Sequence, residues 1–160
     1  MTVIKLTGAE MQMAALVGTQ RQLESLKLGH KHMYGAKNED SWQMNIEGAL
    51  GECALAKHLG VYWSKGTVGA PDVGEVDVRT TTHQDGRLIL HDRDHDNRKY
   101  YLLTGINGEY VVRGWMWGKD GKNAKYKQDP QGTNRWAYFI PQADLQDSLV
   151  PEKEKDWLDD

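Results

Sequence analysis

The 160-residue chain has a single cysteine, Cys53, a single phenylalanine and no long apolar run. A lone cysteine excludes an intrachain disulfide and any zinc site built from cysteines. No stretch approaches the roughly 20 apolar residues that a membrane helix needs, and the N-terminus carries no signal-peptide pattern. The expectation is a cytoplasmic protein without a membrane partner. Charge of one sign is scarce as well: the net charge is −3, so no global basic field advertises nucleic acid. Internal repeats and low-complexity tracts are also lacking.

What is present is a globular composition. Hydrophobic residues make up 39% and charged residues 27%, a balance that suits a polar folded domain rather than a disordered chain. At about 100–200 residues per domain, one domain is expected. Charge is unevenly placed. Lys119, Lys122, Lys125 and Lys127 crowd one loop, and Glu152, Glu154, Asp156, Asp159 and Asp160 load the tail. Six tryptophans give rings that stack on bases or fill cores with polar edges.

Thr7-Gly8-Ala9-Glu10 matches a capping box, so a helix is predicted over about 8–27, stopped by Gly29. Its apolar stripe is Met13, Leu16, Val17, Leu23 and Leu26. A polar connection over 30–37 follows, and then a core over about 38–146 and an acidic tail over about 147–160. The second helix opens near Asn38–Ser41 and ends at Leu59-Gly60, with Trp42, Ile46, Ala49, Leu50 and Cys53 as its apolar face. Gly48 and Gly51 sit inside it at a cost of about 1 kcal/mol each, which suits the close approach of a backbone or ligand. Strands are predicted at 61–63, 87–90 (after a His83–Gly86 turn), 100–103, 110–115 and 136–140, in an order the sequence does not give. Helices followed by short strands predict an α/β or α+β sandwich with a mixed sheet flanked by helices.

The stretch from Ala70 to Thr82 organises the chain. Val76 and Val78 alternate with Glu75, Asp77 and Arg79, the period of a strand with one buried face. Asp77 and Arg79 then share its polar face, with Asp72 at the entrance. Two acids and a guanidinium aimed one way from a rigid strand can hold a metal and an anion. The blander reading is a cross-strand ion pair on a solvated face. Asp72 and Asp77 are close in sequence and need a tight turn or bulge to converge.

A helix with Gly51-Glu52-Cys53-Ala54 and Leu59-Gly60, then Pro71-Asp72, then Val76-Asp77-Val78-Arg79-Thr80, resembles the PD-(D/E)XK, or restriction-endonuclease-like, nuclease superfamily, including small phage-encoded members. The resemblance covers about 41–117, with Tyr138–Pro141 as a further similarity. It implies a restriction-endonuclease-like core and metal-dependent hydrolysis of phosphodiesters, with DNA as the expected nucleic acid. Asp72 and Asp77 would hold Mg²⁺ or Mn²⁺. Glu52 would join them directly or through water, and Arg79 would orient the nucleophile or meet charge on the phosphate. Glu47 is the alternative helix acid, since it and Glu52 lie about 140° apart around the helix and do not both face one metal. Arg79 stands where the family has Lys: it keeps the charge but cannot trade a proton. A homodimer would suit two-strand cutting.

Three other readings bear on function. A second register would draw its acids from Glu75 and Asp77 together with His91, Asp92 and Arg93. The 91–96 excursion has metal-ligand residue types but also the look of a soluble acidic loop. The lysine loop, flanked by Trp115, Trp117, Tyr126 and Trp136, is a candidate for phosphate contact and base stacking, against the plainer reading of a solvated loop. Loss of the lysine at position 79 also keeps open a nuclease-fold protein that binds nucleic acid or protein without cutting.

Overall fold

The computed structural model describes residues 2–29, 40–64 and 70–148. The expected connection at 30–37, most of the Gly-rich loop before the organising strand and the tail from 149 onward lie outside them. A strand the sequence did not announce, β1 (Thr2–Lys5), leads into α1 (Gly8–Leu28). Both halves of the capping box form, and Gly29 ends α1 in the left-handed conformation at φ 65°.

The inward face of α1 corrects the predicted stripe. Ala14, Gly18 and Gln22 are buried, whereas Met13, Leu16, Leu23 and Leu26 are exposed and Val17 is only half-buried. The reason is the partner helix α2 (Ser41–Leu59), which crosses so closely that a Cβ on Gly18 would lie 2.5 Å from Ile46 Cα. Leucine cannot fit such a crossing. Gln22 fills it instead, donating to Ser41 Oγ and accepting from Asn45 Nδ2, both at 2.7 Å. On α2, Ala49, Leu50, Ala54 and Leu55 face the core, while Trp42 stays exposed.

After α2, residues 61–63 run as irregular backbone rather than the expected strand. The strands β2 (Val76–Thr81), β3 (Leu88–Leu90), β4 (Lys99–Ile106) and β5 (Glu109–Trp117) follow. A short α3 (Gly118–Gly121) and a 3₁₀ turn, Ala124–Tyr126, lead to β6 (Lys127–Gln128) and β7 (Ala137–Ile140). One mixed sheet has the order β1-β5-β4-β2, with β2 parallel to β4 and the other pairs antiparallel. The 87–90 strand is not a neighbour of β2: β3 lies in a second sheet, ordered β3-β7-β6.

The result is three layers: helices, four-stranded sheet, three-stranded sheet. Tyr101 and Leu103 of β4 pack toward α1 and α2, and Tyr100 and Leu102 pack toward Leu88, Leu90, Tyr138 and Ile140. Alternation along one strand thus feeds two cores, which explains its nearly continuous apolar run. Among the described residues no helix is long and apolar enough to cross a membrane.

Candidate functional site

β2 begins at the turn that the short Asp72–Asp77 spacing demands. Val73 and Val76 bond each other's backbone at 3.0 and 2.9 Å, and Gly74 takes φ 55°, a value that favours glycine. Val73 is buried and anchors the turn in the helix-side core. The two acids then brace one another. The Asp72 N–H donates to Asp77 Oδ1 at 2.9 Å, and the Val78 N–H donates to Asp72 Oδ2 at 3.1 Å.

Glu52 arrives from the helix layer. Gly51 lets α2 ride against β2, for a Cβ there would collide with Thr80 Oγ1. The next residue, Glu52, is buried and held by both terminal nitrogens of Arg21, at 2.6 and 3.0 Å. Its Oε1 also lies 3.5 Å from Trp63 Nε1. Burial, with the charges of Glu52 and then Asp77, pushes the Asp72 carboxyl up to about 7 against the Val78 N–H and Arg79. Burial is the larger cause, and the two neighbouring acids add to it. Glu47 is drawn elsewhere, accepting from the Tyr110 hydroxyl at 3.0 Å.

The excursion after β3 turns out to be a buttress. Asp94 accepts from Arg79 Nη2 at 2.9 Å and from the His91 N–H at 2.8 Å. The Arg79 guanidinium also lies 5.2 Å from the centre of the Tyr100 ring. Arg98 reaches Asp77 Oδ2 at 3.2 Å. Asp92 accepts from the Tyr138 hydroxyl at 2.7 Å, and Asp96 pairs with Lys122 at 2.6 Å. These acids hold the loop and its neighbours, which favours the plainer of the two readings of 91–96. Among the described residues no group of three or more His, Cys, Asp and Glu side chains is placed to hold a metal ion.

A cleft of about 1250 Å³ opens along the edge strand β2, between α2 and the second sheet. Glu47, Glu52 and Arg79 line it, but so do Arg87 and Arg135, which the sequence reading passed over, and Arg93, which it placed in the alternative register. Each arginine sits alone in its local sequence, so only the fold reveals the cluster. Trp136 lines the same cleft and is 54% exposed. The predicted basic loop lies apart: Lys119, Lys122, Lys125, Lys127 and Trp117 are not among the lining residues. Lys122 is turned inward to the Asp92 and Asp94 carbonyls, Lys125 lies over the Tyr126 ring, and Trp117 packs edge-on against Trp115. The cations of this cleft are therefore arginines and not the lysines of that loop. Compared with family models, with curated proteins and with solved structures, the chain matches none of them.

Proposed function

We propose that this chain is a metal-dependent nuclease with a restriction-endonuclease-like core, acting on phosphodiesters of DNA in the cytoplasm. The observation that carries the reading is the convergence of Asp72 and Asp77 across a two-way braced turn at the start of β2, the strand whose Arg79 lines an arginine-rich cleft, although neither acid lines that cleft itself. The placement of Gly51-Glu52 against the strand bearing Asp77 and Arg79 supports the same reading.

The chain's carboxylates fit a hard cation as a pair. Magnesium is usually held by one or two carboxylates with several waters, and a cation would offset the burial and the neighbouring acids that hold the Asp72 carboxyl up. Asp72 and Asp77 would hold it. Both oxygens of Glu52 are engaged by Arg21, and those of Asp77 by the Asp72 N–H and Arg98, so a cation would displace Arg98 to reach Asp77 and the tighter, two-pronged Arg21 to reach Glu52. When bound, the metal would supply charge neutralisation and a lowered pKa for water. Arg79, fixed by Asp94, offers a permanent positive charge to the phosphate but no proton to exchange. Asp77→Asn and Asp72→Asn should each abolish cleavage and weaken Mn²⁺ binding together. Cleavage that persists in both variants would overturn the assignment.

A second reading has its own observation. Glu52, Asp77 and Arg79 each already hold an ion-pair partner, Arg21, Arg98 and Asp94. Such internal neutralisation suits a nucleic-acid-binding module without chemistry. Assaying the wild type for cleavage on single- and double-stranded DNA and RNA with Mg²⁺ or Mn²⁺ separates the two.

A further inference from the structure

We infer that the cleft along β2 takes a single-stranded nucleic acid, with Trp136 stacking on an unpaired base and Arg87 and Arg135 contacting its phosphates. The inference rests on the reading of this cleft as a nucleic-acid site but does not require that the chain cut anything.

Three observations converge. First, the cleft exceeds the roughly 300–1,000 Å³ of a small-molecule pocket, at about 1250 Å³, and follows a strand edge rather than closing over one ligand. An extended polymer segment fits that shape. Second, its cations are arginines from separate parts of the chain. Arg87 precedes β3, Arg93 follows it and Arg135 precedes β7; with Leu88 opposite Ile140 and Leu90 opposite Tyr138, Arg87 stands at one end of the β3–β7 pair and Arg93 and Arg135 toward the other. That spacing suits a run of phosphates, whereas one anion would need the charges gathered at a point.

Third, Trp136 leaves an indole more than half exposed on the cleft wall. The segment that carries it is ordered by Asp129, which accepts from the N–H groups of Thr133 and Asn134 at 3.3 and 2.9 Å. Gly132 and Asn134 both take positive φ there, at 62° and 64°, so the loop has a definite shape. On this shaped loop the indole presents a flat apolar face to the cleft, on which another ring can stack. Duplex DNA buries its base faces and would show this ring only base edges, sugar and phosphate. An unpaired strand offers a base face, and stacking of this kind tolerates any sequence.

The test is fluorescence anisotropy without divalent metal, in EDTA, with labelled oligo(dT), oligo(U) and a blunt DNA duplex. Single strands should bind at least tenfold more tightly than the duplex. Trp136→Ala should weaken single-strand binding about 5- to 100-fold, in line with the loss of one stacked base. Trp136→Phe, which keeps a ring, should restore most of it, and circular dichroism checks that each variant is folded. Arg87→Gln and Arg135→Gln should each lower the slope of log affinity against log salt. Comparing oligo(dT) with oligo(U) separates DNA from RNA. Duplex binding equal to single-strand binding, or indifference to Trp136→Ala, would overturn the inference, as would no binding to any of the three. Single-strand binding that depends on Trp136, together with no cleavage when metal is added, would sustain this inference and remove the nuclease reading.

Discussion

Arg21 of α1 grips both carboxylate oxygens of Glu52 on α2, 31 residues further along the chain, at 2.6 and 3.0 Å. The pair fastens the first helix to the second at the point where α2 meets β2. It also decides how many carboxylates the site can offer.

Arg21→Gln should therefore have two effects of opposite kind. Leaving a buried carboxylate unpaired costs about 3–5 kcal/mol. With the Arg21 side chain 28% exposed, the lower end is expected in urea denaturation. Glu52→Gln added to it should restore much of the loss, because the stranded charge is gone. At the same time Arg21→Gln frees Glu52, so calorimetric titration should show tighter Mn²⁺ binding than in the wild type. Unchanged metal affinity would mean that Glu52 plays no part in holding a cation.

Stability should fall as pH rises through neutrality. The Asp72 carboxyl is pushed up to about 7 by burial and by Glu52 and Asp77. A group raised in the folded state lends stability that is complete below its unfolded value near 4 and is lost as pH climbs through about 7. At roughly 1.4 kcal/mol per pKa unit, the loss approaches about 4 kcal/mol between pH 4 and pH 8. Asp72→Asn should flatten the Tm-versus-pH curve over that range. Millimolar Mg²⁺ at pH 8 should recover part of the wild-type loss and none in Asp72→Asn.

Two glycines of α2 should answer alanine with opposite signs. Gly48 has open space around its Cα, so Gly48→Ala should gain up to about 1 kcal/mol from helix propensity. At Gly51 the added methyl meets Thr80 of β2, and overpacking of that sort costs about 1–3 kcal/mol. Thr80→Ala should rescue much of the Gly51→Ala loss. A denaturant series on the four variants decides it.

Lysine-loop charge should matter little to nucleic-acid binding. Replacing Lys119, Lys125 and Lys127 by Gln should leave the salt slope of affinity unchanged, since none of them lines the cleft. Lys122→Met is different, because it frees the 92–96 loop from its tether. It should lower thermal stability and disturb the Asp94–Arg79 pair indirectly. A reduced slope in the triple variant would put the substrate path on the loop.

Local chemistry made much of this legible. The Thr7 capping box, Gly29 and Gly60 marked helix ends, and the five-residue gap between Asp72 and Asp77 demanded the turn that Gly74 makes. What periodicity does not carry is which face a close helix crossing needs. Ala14 and Gly18 face inward because they are small, and the Leu stripe is left outside. Nor does it carry partners supplied from elsewhere. Arg21, Arg98 and Asp94 reach Glu52, Asp77 and Arg79 across separations of 31, 21 and 15 residues, and no local pattern announces them. The same holds for Arg87, Arg93 and Arg135, and for β3, whose sheet partner β7 lies about fifty residues downstream.

β4 carries a consequence for how the molecule opens. Tyr101 and Leu103 hold one hydrophobic layer and Tyr100 and Leu102 the other, so neither layer can melt without wetting a side of the same strand. Its amides, bonded to β2 on one flank and β5 on the other, exchange with solvent only when both layers part. Hydrogen exchange at 100–104 should therefore report the global opening, with β3 and β7 free to fray earlier. Arg79 rests on the Tyr100 ring, so its position is tied to this least yielding strand.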